Sequence, residues 1–80
     1  MKKVLSQIKA FLVSIDLSTV NDRSEIEYLI QLMDWIILGR IEITPENLNY
    51  IKDAIKTIQE VDNIDLSMCI ELLTTEKLNV

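Results

Sequence analysis

Between Val4 and Ile15, apolar side chains recur at steps of three and four: Val4, Leu5, Ile8, Phe11, Leu12 and Ile15. That spacing is one face of a helix and predicts a first helix from about Lys2 to Ile15. Lys3, Gln7, Lys9 and Ser14 fall elsewhere on the wheel. The stretch 16–23 is polar except for Leu17 and Val20 and reads as a loop or a single helical turn, with Ser18 and Asn21 as candidate caps. A second helix is expected from Ser24, where Ser24 and Glu27 have capping-box spacing, to Gly39, which suits a left-handed terminus. Its main stripe is Ile26, Leu29, Ile30, Met33, Ile36 and Ile37, and Tyr28, Leu32 and Trp35 form a second stripe read as lying on the opposite side. A helix apolar on two faces is central in a bundle, or meets the core with one face and a partner with the other.

Ile41-Glu42-Ile43 has strand character but no second strand to pair with. Thr44 followed by Pro45 and Glu46 is the sharpest helix start in the chain: a capping hydroxyl, a proline where no N–H is needed, and a carboxylate at the positive end of the dipole. The third helix carries Leu48, Ile51, Ile55 and Ile58 on one stripe, sets Tyr50 almost opposite, and is expected to end near Val61. Asp62 or Asn63 is expected to cap a fourth helix to Thr74 or Thr75, apolar nearly all round, with a frayed tail from about Glu76 to Val80. The pattern predicts one all-α domain over residues 1–80, a compact antiparallel bundle of four clear helices.

Composition sharpens this picture. Of the 80 residues 49% are hydrophobic, while one Gly and one Pro leave little material for turns, which favours long helices over a sheet. A chain this size buries only about 60% of the surface its unfolded form exposes, so stability is marginal and some apolar surface is free to serve a partner. The net charge of -5, without a basic cluster, repels a phosphate backbone and argues against nucleic acid. No low-complexity tract or internal repeat stands out. Cys69 is the sole cysteine, which suits a reducing compartment. Gln7 and Lys9 interrupt the apolar run that a secretory signal would need, and the run from Trp35 to Leu38 is far too short to span a bilayer. A cytoplasmic protein, whole or an N-terminal module, is the expectation.

The sequence argues against catalysis. It has no histidine, and with it go the commonest general base, the usual triads and the commonest metal ligand. Cys69 lies among Met68, Ile70, Leu72 and Leu73 and reads as an inert core thiol. The acidic pairs Glu25 with Glu27 and Asp62 with Asp65 lack the pattern of a calcium loop and read as helix-start charges. No catalytic residue, cofactor or metal is expected. What remains is surface: Tyr28, Trp35 and Tyr50 leave their helices' main stripes, either to be buried by other helices or to anchor an interface.

The segment Thr44-Pro45-Glu46-Asn47-Leu48-Asn49-Tyr50-Ile51-Lys52-Asp53-Ala54-Ile55 resembles the fifth helix of death-effector domains, members of the death fold. Leu32 to Gly39 looks like their fourth helix and its turn, and Asn63-Ile64-Asp65-Leu66 is similar to the Arg-x-Asp-Leu motif that opens their sixth. The likeness covers roughly residues 30–73. Asn63 stands where the family has Arg, the interval from Ile55 to Asp65 is a few residues longer than typical, and one long helix with a short turn precedes Ser24 where the family has three helices. The resemblance implies a bundle of up to six helices. It also implies homotypic association through several patches, filament formation, and recruitment of effectors in cell-death or immune signalling. Asn63 and Asp65 would form a polar patch, and Glu46 and Tyr50 the exposed side of the third helix. Two other readings stand beside it. One is a small acidic microbial immunity, anti-defence or toxin-neutralising protein that meets a basic target by charge complementarity. The other is a dimeric bundle joined through Tyr28, Leu32 and Trp35.

Overall fold

The structure, a computed structural model, describes residues 1–21 and 23–77. The described residues form four α-helices and one 3-10 turn: α1 (Lys2–Val13), the turn (Leu17–Thr19), α2 (Arg23–Ile37), α3 (Pro45–Asp62) and α4 (Ser67–Lys77). Each helix packs on its successor, and α4 returns to α1, so the four close into a ring of 34 × 23 × 19 Å. The fold is all-helical, with no strand among the described residues.

The expected stripes build the core. Val4, Leu5, Ile8 and Leu12 of α1 meet Ile26, Leu29, Met33 and Ile36 of α2, Leu48, Ile51, Ile55 and Ile58 of α3, and Cys69 and Leu73 of α4 in one buried cluster. No aromatic and no polar side chain enters it among the described residues. Each aliphatic side chain so buried contributes about 1.5–3 kcal/mol of transfer free energy, offset by the ordering of the chain. Ile41 and Ile43 form no strand. They lie half-buried against the cluster, which turns the connector between α2 and α3 into part of the core's lid.

One stripe is corrected. Leu32 is only 6% exposed and belongs to the core, so the Tyr28–Leu32–Trp35 row is the shoulder of the buried face rather than its opposite. The cause is that α2 touches α1 on one flank and α3 on the other, which widens its buried arc beyond a single stripe. A dimer face built on Leu32 is therefore closed off.

The helix ends decide the connections. At the end of α2, Gly39 adopts φ +80°, its N–H reaches the Ile36 carbonyl, and the Arg40 N–H reaches the Trp35 carbonyl at 2.8 Å. This is the left-handed closure expected at that glycine. Thr44 caps α3, its Oγ1 accepting the Asn47 N–H at 3.1 Å, and Asn47 Nδ2 in turn donates to the Glu42 carbonyl. At the start of α2 the capping box fails: the helix begins at Arg23, placing Ser24 inside it, and Glu27 pairs with Arg23 one turn away at 2.8 Å.

The start of α4 is also corrected. Asn63 does not open it. Asn63 closes α3 in the left-handed region at φ 53°, a conformation that asparagine tolerates better than most side chains. The chain then needs a new start, which Asp65 supplies by accepting the Ser67 N–H and hydroxyl, while Gln59 Oε1 accepts the Leu66 N–H at 2.7 Å. Helix α4 thus begins at Ser67, three to four residues later than the sequence suggested, and runs on through Lys77. Residues 78–80 of the expected tail lie outside the described residues. The first helix stops at Val13 rather than Ile15, where the Ser14 hydroxyl donates to the Phe11 carbonyl.

This geometry brings out a repeat hidden in the sequence. Ile15-Asp16-Leu17-Ser18 and Ile64-Asp65-Leu66-Ser67 are the same tetrapeptide. In both, the aspartate accepts the backbone N–H and the hydroxyl of the serine two residues on, and a helical turn comes next. Asp16, rather than Ser18 or Asn21, therefore starts the 3-10 turn.

Leu29→Ala, at a position fully buried in α2, should cost about 2–5 kcal/mol in a denaturant titration, whereas Tyr28→Ala beside it should cost under about 1 kcal/mol. The serine hydroxyls, then the serine N–H groups, hold the Asp16 and Asp65 carboxyls below their ordinary value of 3.8. A carboxyl with a depressed folded-state pKa stabilises the fold above that ordinary value, and the contribution disappears as pH falls through the folded value. Thermal melts below about pH 4 should therefore fall less steeply for a variant carrying both Asp16→Asn and Asp65→Asn than for the parent.

Candidate functional site

Tyr28 on α2 and Tyr50 on α3 leave the aliphatic core and meet at its edge. Their ring centroids are 6.0 Å apart at 84°, an edge-to-face pair. They remain 47% and 42% exposed, so packing fixes their rings without hiding them. The Tyr50 hydroxyl donates to Glu25 Oε1 at 3.1 Å, one turn before Tyr28 on the same helix. Partial burial, and then the hydrogen bond to that carboxylate, hold the Tyr50 phenol above its ordinary value. The pair and the carboxylate thus bolt α2 to α3 across the surface.

Next to the pair lies a groove of about 330 Å³ lined by Glu25, Tyr50, Asp53, Ala54 and Thr57. On α3 these residues are spaced by three, four and seven from Tyr50, a single stripe along the helix. Ala54 is short, and the Thr57 hydroxyl turns back to the Asp53 carbonyl, so the hollow stays open. Glu25 is the helix-start charge expected in the first turn of α2, and Asp53 carried no surface role in the sequence reading. Their meeting with Tyr50 depends on the docking of α2 on α3, which no local spacing reveals.

The six expected interface residues do not form one patch. Tyr28 and Tyr50 come together. Glu46, exposed in the first turn of α3, stands one turn from Tyr50. Trp35 is half-buried two turns beyond Tyr28, about 10 Å along α2. Asn63 and Asp65 are exposed in the connector past the far end of α3, about 20 Å along the axis from Tyr50. Asp65 is further committed to Ser67, so its carboxylate is a structural cap as well as a surface charge.

Elsewhere the chemistry is sparse. Cys69 is buried, and burial pushes its thiol up. No group of three or more Cys, Asp or Glu residues gathers in metal-binding geometry among the described residues. Among them, too, no helix is long and apolar enough to cross a membrane. Lys9 on α1 and Asp34 on α2 form a half-buried ion pair at 2.6 Å. Separate apolar surface is exposed at Val13, Leu38 and Met68.

No family model matches the chain, and no curated protein or solved structure is significantly similar to it.

Cys69 should resist a water-soluble disulfide reagent in the folded protein and react fully once denaturant is added. Rapid modification of the native protein would mean that α4 opens on the timescale of the reaction.

Proposed function

We propose that this protein is a non-enzymatic protein-interaction module, of the death-effector type that its second half resembles. In this reading it associates with itself or with similar domains, forms open assemblies, and recruits effectors in cell-death or immune signalling in the cytoplasm. The observation that carries the binding reading is the exposed Tyr28–Tyr50 pair. No aromatic side chain is among the fully buried residues described, yet two tyrosines are packed edge to face at the surface. Rigid tyrosines offer large contact area at little entropic cost, which is why they concentrate at the energetic centres of interfaces. The resemblance over residues 30–73 supports the homotypic form of the reading, since head-to-tail contacts between unlike patches do not close and so propagate.

A second reading is favoured by the groove beside the tyrosines. Its lining holds two carboxylates and no cation, and the whole chain carries a net charge of -5. A small acidic immunity, anti-defence or toxin-neutralising protein that covers a basic target would present such a face.

The deciding measurement is the assembly state against concentration, by light scattering and negative-stain microscopy. Open oligomers or filaments are expected. Trp35→Ala and Tyr50→Ala should each weaken assembly by about tenfold or more and impair association more than folding, the circular dichroism spectrum remaining helical. A monomer or closed dimer at every concentration would remove the homotypic reading. Unfolding by either substitution would make that residue part of the core.

A further inference from the structure

We propose that copies of this chain meet through a second contact, apart from the tyrosine edge: the hollow between α1 and α2 of one copy receives the outer face of α4 of the next, head to tail. The inference rests on the homotypic form of the proposed function and names the surfaces that join.

Charge is divided along the chain. Residues 1–15 hold Lys2, Lys3 and Lys9 and no acid. Residues 57–76 hold Glu60, Asp62, Asp65, Glu71 and Glu76 and no Lys or Arg. The net charge of -5 therefore combines a basic segment with a strongly acidic one. The large apolar side chains exposed among the described residues divide in the same way. Tyr28 and Tyr50 pair with each other. Of the rest, Val13 lines the α1 hollow and Leu38 follows Ile37, which also lines it, while Val61 and Met68 belong to the acidic segment.

The hollow on α1 measures about 280 Å³ and is lined by Ser6, Lys9, Ala10, Val13 and Ile37. On α4, Met68, Glu71, Leu72 and Thr75 bound a second hollow of about 250 Å³ along a single helical stripe. In the ring, α4 packs on α3 and α1 and stands diagonal to α2, so the two hollows open on different sides. Neither can cover the other within one copy. Unlike patches that join between copies propagate instead of closing.

Charge selects the occupant. Lys2 and Lys3 are exposed one turn before Ser6, at the positive end of the α1 dipole, and that first turn holds no carboxylate. Neither makes an ion pair among the described residues, whereas Lys9 is held by Asp34. A carboxylate brought by a partner relieves the repulsion between these lysines and offsets their place on the dipole. Glu71, exposed on the outer stripe of α4, makes no ion pair among the described residues and stands beside exposed Met68. Apolar burial and charge thus favour the same pairing, that of a basic face with an acidic one on a second copy. A phosphate or lipid surface would meet the same three lysines but would be repelled by the thirteen acids of the chain.

The test reads contacts between copies directly. Protein carrying a spin label on Gln7→Cys, an exposed position on α1, is mixed with 15N-labelled parent, and paramagnetic broadening is mapped on the 15N copy. Cys69 is buried and shielded from the label. Broadening is expected at Met68, Glu71, Leu72 and Thr75, weaker at about 0.2 M salt than at about 0.02 M. Lys3→Glu and Glu71→Lys, both at exposed positions, should each weaken self-association by about fivefold or more, and the two together in one chain should restore it to within about twofold of the parent. Broadening centred on Ser6 and Ala10 would mean a two-fold α1 pairing, and broadening at Tyr28 and Tyr50 would seat α1 on the tyrosine edge. Either result overturns the inference, as does a double variant no better than the single ones. Binding to phosphatidylcholine–phosphatidylserine vesicles that Lys3→Glu abolishes, without broadening on a second copy, would assign the basic face to a membrane and overturn it too. If the protein assembles and Tyr50→Ala breaks the assembly, yet no broadening reaches α4, the homotypic reading stands and this inference alone falls. A parent that stays monomeric with no broadening removes both.

Discussion

Burial of branched aliphatic side chains between α2 and its two flanking helices holds this molecule together. α2 packs on α1 with one flank and on α3 with the other, and the cluster it organises contains no polar group among the described residues. Such a core is strong but undiscriminating, because leucine and isoleucine contacts have no directional preference. Direction comes instead from the ends of the helices. Gly39 and Asn63 turn the chain through left-handed backbone, and Thr44, Asp16 and Asp65 catch early N–H groups of the helical turns they open. The protein is aliphatic where it is thick and polar where it turns.

Most of the fold was legible because period and caps agreed. The α3 stripe names its four buried residues, the α1 stripe contains the four buried in that helix together with the half-buried Phe11 and Ile15, and Thr44-Pro45-Glu46 fixes the start of α3 to the residue. What was not legible involved a choice between neighbouring polar residues. Ser24 lies inside α2, which begins at Arg23, and Asp62, Asn63 and Asp65 competed to open α4. Local propensity does not rank such candidates. Gln59, seven residues upstream, holds the Leu66 N–H and helps settle the choice, and that contact exists only once α3 has ended at Asn63. The same limit applies to the surface. Tyr28 and Tyr50 could each be read as leaving a stripe, but their pairing with Glu25 requires two helices to dock.

The proposed role grows out of what the core leaves unused. Aromatic side chains carry large apolar area, and a small bundle short of buried surface would ordinarily use them inside. Here the tyrosines stay outside, stiffened by each other and by a carboxylate, beside a hollow that small residues keep open. Stiffness matters to association because a side chain already fixed loses little freedom when a partner arrives. The absence of histidine and the high-lying thiol of Cys69 leave few groups suited to proton transfer or nucleophilic attack near neutral pH.

The closed ring of helices also has a consequence in time. Three of its four main pairings join helices adjacent along the chain, and the α1–α4 contact alone spans most of its length. Local pairings close small loops and form quickly; distant ones must first meet the entropy of the intervening chain. A bundle so connected belongs among the fast folders, in the range of microseconds to milliseconds. Its last event would be the seating of α4 against α1, over a three-helix arc already in place.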